Sequence, residues 1–599
     1  MLHIFGASVL PPVQIARIAR RLTAAAFAIT WAPLAGASPG DWPMAAHDGA
    51  NTRYSPLAQI TVSNVAKLRL AWNFSTSTDK GEEAAPIVAD RTMFVVTAFP
   101  NRVLAFDLSG PDHKLAWTFD PKPDPAARGV ACCDVVNRGA AYADGRLFFC
   151  TLDNQVLALD ARTGQALWRR RLGDAATGQS MTMAPLVVRD KVLVGNDGAE
   201  FGVRGFIAAL DVATGAERWR AYSTGPDSDV RIGRAFAPFY ADDRGGDLGV
   251  ATWPPGAWKI GGGTVGGWLS YDAQLDLLYH GTGSPAPRNP VQRPGDNKWT
   301  SALFARRPDS GDAVWAYQTS PHDRHGYDGS NESVLVDLTI GGATRRVLLH
   351  PDRNGYVYVM DRATGEVLSA DPYALVTTAH GVDPATGVLR HDVSKEPAID
   401  RVVREICPGS AGAKNWQPSA WSPRTRLLYL PQQNLCEDTT VFEVGHIGGT
   451  PYLGAESKMH PPQGARRGEL SAWDPVARRK AWTVLEPFPV WSGALATAGD
   501  LVFYGTLDGW FKAVDARNGN ELWKFRTVSG IVGQPISFTA GDGRQYVAVL
   551  AGVGGWAGLV VSNDLDTRDG TAARGFVAAM KDLPAATSRG GMLYVFGLP

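Results

Sequence analysis

Val156-Leu157-Ala158-Leu159-Asp160-Ala161-Arg162-Thr163-Gly164-Gln165-Ala166-Leu167-Trp168 sets the pattern of the chain. Alternating apolar residues mark a half-buried strand. Asp160 and Gly164 close a tight turn in which Gly tolerates positive φ, and Trp168 stands on the returning strand. The same order recurs in Ile207-Ala208-Ala209-Leu210-Asp211 through Gly215 to Trp219, and in Phe511-Lys512-Ala513-Val514-Asp515 through Gly519 to Trp523. Worn copies begin near Val103 (with Trp117), Leu303 (Trp315), Val357 (no Trp) and Leu470 (Trp482); residues 268–272 and 418–422 read as further remnants. One Trp per unit is a large apolar plug that docks one sheet on the next. Self-similarity at about 40–50 residues marks propeller blades. The expectation is an all-β chain, an eight-bladed β-propeller with Trp-docking blade motifs, at roughly four strands per blade. No Ser/Pro linker divides residues 38–599, which read as a single propeller domain. Residues 235–259, 399–416 and 439–468 lack strand alternation, and such loops gather on one face to build a site.

Lys+Arg and Asp+Glu both number 59, so nothing argues for nucleic acid or an anionic membrane surface. Arg17, Arg20 and Arg21 precede an apolar run over residues 22–34, and Ala35-Gly36-Ala37 fits a small-x-small cleavage site. Residues 1–37 thus read as a signal peptide cleaved near Ala37, with export to the periplasm. Pro33 and Gly36 interrupt the run where a spanning helix would continue, and no transmembrane helix is expected in the mature chain. Export permits disulfides. The five cysteines leave at least one thiol free if all bridges are internal. The pairing assigned is Cys132–Cys133 and Cys407–Cys436, with Cys150 a buried free thiol in an apolar strand pattern. Adjacent cysteines have two readings: a strained ring that persists where function uses it, or two small core residues.

With these residues in hand the chain resembles the exported quinoprotein alcohol dehydrogenases, of the methanol and ethanol dehydrogenase type. The resemblance runs from Asp41-Trp42-Pro43 to Gly554-Gly555-Trp556, nearly the whole mature chain. Its most specific stretch is Cys132-Cys133-Asp134-Val135-Val136-Asn137-Arg138-Gly139. Others are Asp197-Gly198-Ala199-Glu200-Phe201-Gly202, Arg293-Pro294-Gly295-Asp296-Asn297-Lys298-Trp299 and His350-Pro351-Asp352-Arg353-Asn354-Gly355. The resemblance implies pyrroloquinoline quinone (PQQ) and a metal ion, Ca²⁺ or a lanthanide. PQQ is a planar tricarboxylate quinone that needs flat faces, cations around its rim and a Lewis acid at the quinone oxygen. A Cys132–Cys133 plate would supply one face. Arg138 and Thr182 would bind rim carboxylates, with Thr264 and Glu83 as further polar partners and Arg353 at the quinone oxygens. Asp197, Gly198, Ala199, Asn415, Trp491 and Trp556 also fall at family cofactor positions. Glu200 matches the metal carboxylate, since hard cations take oxygen ligands.

Three departures follow from the resemblance. Ser284 replaces a ligand Asn. In Pro321-His322-Asp323-Arg324-His325-Gly326-Tyr327-Asp328-Gly329, Gly326 stands where the family has its catalytic Asp. Asp328 matches the extra carboxylate of the lanthanide-using branch and reads as base or metal ligand; Asp323 and His325 are candidate substitute bases. Gly266 replaces a Trp that stacks on PQQ. Together these changes predict a widened pocket, a different substrate or lost turnover.

The chain has no Cys-x-x-Cys-His haem site, so a separate soluble cytochrome c is the implied electron acceptor. A small alcohol is the implied substrate, and a homodimer is compatible with the resemblance. Three functions compete: a periplasmic PQQ-dependent alcohol dehydrogenase, a PQQ-binding homologue with altered or lost catalysis, and a cofactor-free propeller scaffold.

Overall fold

The computed structural model describes residues 40–131 and 134–599. The leader and the pair Cys132 and Cys133 lie outside the described residues, and with them the disulfide expected there. Among the described residues are seven four-stranded sheets and one five-stranded sheet, all antiparallel but for one added edge strand. A hairpin, Ala379–Val382 with Leu389–His391, and a three-stranded sheet, Val403–Ile406, Cys436–Val441 and Ala455–His460, lie outside them. Residues 439–468 therefore hold a strand that their composition hides. Cys407 and Cys436 are joined, and Cys150 is a buried free thiol.

The repeated motif is the third and fourth strand of a sheet. Gln155–Asp160 and Ala166–Arg171 make the hairpin of the quoted stretch. The Asp160 carboxylate accepts the Arg162 and Thr163 N–H groups and the Thr163 hydroxyl, and so shapes the turn. Leu269–Asp272 and Ala420–Ser422, expected to be worn copies of that motif, are instead first strands at the edges of their sheets.

Each indole docks on the turn of the following sheet. Trp117, Trp168, Trp219, Trp315 and Trp482 donate Nε1–H to Ala161, Val212, Pro308, Arg362 and Ala516 oxygens at 2.9–3.2 Å. Their rings press on Gly164, Gly215, Gly311, Gly365 and Gly519, where a Cβ would stand only 2.5–2.8 Å from ring carbon. These glycines are required twice over, by the close approach and by φ of 68–78°. The last sheet is assembled from both chain regions: Ile536–Thr539, Gln545–Ala551 and Met592–Gly597 are joined by Arg69–Ser75 as the fourth strand. Trp523 Nε1–H donates to Leu68 O, and Trp72 packs on Phe106 of the first sheet.

In an antiparallel sheet, the loop entering the first strand and the loop between the second and third strands lie at one end. Glu83, Arg138, Thr182, Thr264, Asp328, Asn415 and Trp491 all stand two to six residues before a first strand. Glu200, Ser284, Arg353 and Trp556 lie between second and third strands. The topology thus delivers every one of them to the same end.

Trp219 and Trp315 are fully buried, whereas Trp168 and Trp523 are only half-buried. Truncating Trp219 or Trp315 to Ala is expected to lower stability by about 3–5 kcal/mol, and Trp168 or Trp523 by less. Urea unfolding of the four variants checks this; equal small losses would remove the docking role.

Candidate active site

A cleft with about 920 Å³ of empty space, part of it bulk solvent at the mouth, lies at that end of the sheets. Its lining includes Glu83, Arg138, Thr182, Asp197, Gly198, Ala199, Glu200, Thr264, Ser284, Asp328, Arg353, Asn415, Trp491 and Trp556. These residues come from loops spread over nearly the whole sequence.

Arg138 is the hub. Its Nε donates to Glu83 Oε2 at 3.1 Å, and its Nη1 to Thr182 Oγ1 at 2.7 Å and Gly266 O at 3.1 Å. Thr182 in turn donates its N–H and hydroxyl to Asp197 Oδ2 at 3.0 and 2.8 Å. The guanidinium also lies 5.0 Å from the Trp416 ring centre. Two carboxylates therefore flank one arginine. Burial pushes Glu83 up to about 8, against the pull of Arg138, and pushes Asp197 up as well.

The other acids are paired. Glu200 sits on the short turn Ala199–Phe201, held by Gly198 and Gly202, and its Oε1 accepts Arg574 Nη1 at 3.1 Å. The Glu200 backbone oxygen accepts the Tyr452 N–H, which ties the insertion after Val441 to the site. Asp328 Oδ1 accepts the Ser284 N–H at 2.6 Å, and Oδ2 faces Arg353 Nη2 at 2.7 Å. Arg353 Nη2 also reaches Asn415 Oδ1 at 3.3 Å, and Asn415 Oδ1 accepts the Trp416 N–H.

Two buried donors in this cleft, Arg353 Nε and Trp416 Nε1, find no acceptor among the described residues. A buried donor left unpaired is costly. Three guanidiniums, two threonines and unmatched N–H groups beside two cation-type carboxylates fit a flat polyanion bound with a hard cation. Glu405, Cys407 and Cys436 also cluster, but both sulfurs are spent in the disulfide.

Two expected bases are not at the cleft. The Asp323 carboxylate accepts the N–H groups of His325, Gly326 and Tyr327, so it is the turn's internal cap; burial raises it to about 6. His325 is buried, and burial drives its pKa well down. Neither lines the cleft. Gly266 does line it, but leaves no hole, since a Cβ there would overlap the Asp197 carboxylate. Trp268 stays in the core and donates Nε1–H to Trp416 O at 2.8 Å. Trp416 and Arg574 are cleft residues with no motif around them in the sequence. Trp416 had one signal, its place beside Asn415 in a strandless loop; Arg574 had none.

The sequence matches the family described as "PQQ: Glucose/ethanol/alcohol dehydrogenase, beta-propeller domain" over residues 42–370 and 468–547. The chain belongs to this PQQ β-propeller family of dehydrogenases. It is 47% identical over 566 residues to a lanthanide-dependent methanol dehydrogenase of Methylacidiphilum fumariolicum (strain SolV), covering 94% of this chain and 93% of that one. It is 42% identical over 578 residues to methanol dehydrogenase [cytochrome c] subunit 1 of Methylorubrum extorquens, covering 94% and 91%. The structure of a europium-containing methanol dehydrogenase superposes with a TM-score of 0.93 at 46% identity, over 94% of this chain and 98% of that one.

The raised Glu83 makes a stability prediction. Unfolded, it titrates near its ordinary 4.5; folded, near about 8, so the folded state holds the proton more tightly. Stability without added cofactor should therefore fall as pH rises from about 5 to about 8. Glu83→Gln should flatten that slope. Urea midpoints across the window check this, and identical slopes for both proteins would refute it.

Proposed function

We propose that the protein is an exported, periplasmic PQQ-dependent alcohol dehydrogenase that passes electrons to a separate soluble cytochrome c. Residues 38–599 form one closed eight-bladed propeller, with Arg69–Ser75 completing the last blade against Met592–Gly597. What carries this is the convergence of Arg138, Glu200, Asp328 and Arg353 on one cleft from the loops of three separate sheets.

When bound, PQQ supplies an electrophilic quinone carbon that takes the hydride from the carbinol carbon. Arg138, Thr182, Thr264 and Asn415 would hold and orient its carboxylates; the expected Cys132–Cys133 face lies outside the described residues. Arg353 places positive charge where electrons arrive. Glu200 and Ser284 would hold the cation, Ser284 with a shorter, weaker donor than the family's Asn, and Asp328 would join them if it is not the base. Of the acids in residues 321–329, Asp328 lines the cleft. It either ligates the cation or takes the hydroxyl proton; a ligated carboxylate is a poorer base, so one role excludes the other.

Gly326 favours a second reading, a PQQ-binding homologue with altered or lost catalysis. It lines the cleft without any side chain at the family's base position.

The test is dye-linked oxidation of an alcohol panel by the purified exported protein with PQQ and either Ca²⁺ or La³⁺. We expect turnover, higher with La³⁺, because Glu200 and Asp328 together offer two negative charges. Asp328→Asn should lower kcat by about 10²–10⁴-fold with both ions if it is the base. Loss with La³⁺ alone would make it the ligand. A bound quinone spectrum without turnover would favour the second reading.

A further inference from the structure

We infer that Arg288 determines the substrate class: its Nε–H donates to an oxygen carried by the alcohol beyond the reacting carbinol, so the enzyme takes hydroxylated alcohols in preference to simple alkanols. This rests on the dehydrogenase reading above and adds the identity of its substrate.

Gly326 lines the cleft with a left-handed φ of 83°. A Cβ built on it would meet Arg288 Nε at 3.5 Å, Ser410 Cβ at 3.6 Å and Arg288 Cδ at 3.7 Å. All three are ordinary contacts, so Arg288 and Ser410 stand directly behind Gly326, one layer behind the cleft lining, which itself includes neither. Arg288 is only 8% exposed. Its Nη1 donates to Ser457 Oγ at 2.9 Å, and its Nη2 pairs with Glu437. Glu437 is fully buried and accepts the Ser410 hydroxyl at 2.9 Å through its other oxygen. Two of the three guanidinium nitrogens are thus fixed, and a planar fork held at two points cannot turn the third away. Among the described residues no protein acceptor takes the Nε–H.

The chemistry of the missing acceptor follows from charge. Glu437 already matches Arg288, and the neighbouring Arg324 is matched by Glu396. A second carboxylate would find no unmatched cation there, whereas a neutral hydroxyl oxygen completes the donor at no charge cost. An alkyl chain over the same donor strips its water and gives nothing back. Sites with a buried polar donor discriminate strongly against analogues lacking the partner group.

The test uses the full exported protein loaded with PQQ and La³⁺, with 1-butanol, 1,4-butanediol and 4-hydroxybutanoate as substrates of one chain length. The diol should exceed 1-butanol in kcat/KM by tenfold or more, and exceed the hydroxy acid. Arg288→Met should bring the diol-to-butanol ratio to within about twofold. That variant leaves Glu437 unpaired, so Arg288→Met/Glu437→Gln and Arg288→Lys accompany it. Lysine keeps the charge and lacks the Nε donor, and should lose the ratio as Met does, with thermal melts reporting folding. Crystals soaked with 1,4-butanediol should show a hydroxyl oxygen in hydrogen-bonding reach of Arg288 Nε. Equal wild-type rates for butanol and diol, a preference for the hydroxy acid, or an unchanged ratio in the folded variants would overturn the assignment. Oxidation of none of the three would sink the dehydrogenase reading itself, and the assignment with it.

Discussion

The architecture hangs on an indole lying flat against a turn that has no side chain to obstruct it. Five times along the chain the same exchange occurs: one sheet gives a tryptophan ring and its N–H, the next gives a glycine and the carbonyl at the start of the turn. The contact joins dispersion over the ring face to one directed hydrogen bond, so it fixes both spacing and rotation between neighbouring sheets. The cleft inherits that precision. Arg138 and Arg353 belong to different sheets and stand 215 positions apart in sequence, yet line one cleft.

Within the cleft, charge is arranged so that no acid is left alone. Arg138 serves Glu83 directly and Asp197 through Thr182; Arg574 serves Glu200, and Arg353 serves Asp328. Buried charges are tolerated only when paired and hydrogen-bonded. Glu83 and Asp197 are both elevated because burial outweighs the pull of the one arginine they share. Glu200 and Asp328, each on a single arginine, are the acids whose pairing a multivalent cation would exchange most readily. Electrostatics thus separates a cluster centred on Arg138 from the two single-arginine pairs at residues 200 and 328.

The hairpin of third and fourth strands was legible because its grammar is local: strand, Asp, Gly, Trp within thirteen residues. The last sheet was not, because its fourth strand, carrying Trp72, comes from the other end of the chain and leaves no hairpin behind. The same limit governed the site. Residues embedded in motifs, such as Arg138, Glu200 and Arg353, line the cleft. Trp416 and Arg574 reach it from irregular segments whose paths only long-range packing decides; Arg574 itself adopts a φ of 54°. Asp323 and His325 misled for the opposite reason. Their side-chain types advertise proton transfer, but sequence does not reveal that three backbone N–H groups already occupy the carboxylate or that the imidazole is shut away.

Gly266 and Gly326 show why a missing side chain is not yet a cavity. Both replace bulkier family residues, and from sequence alone both enlarge the site. At 266 the space is filled by Asp197, which Thr182 anchors and whose carboxylate a Cβ would strike. Glycine at 266 therefore leaves the Asp197 carboxylate in direct contact with the backbone and adds no empty space. At 326 the neighbours stand at contact distance and no closer, and they are an arginine and a serine. That substitution does open volume, and what it exposes is polar. Width alone does not describe either position: what stands behind each glycine is a charged or polar side chain.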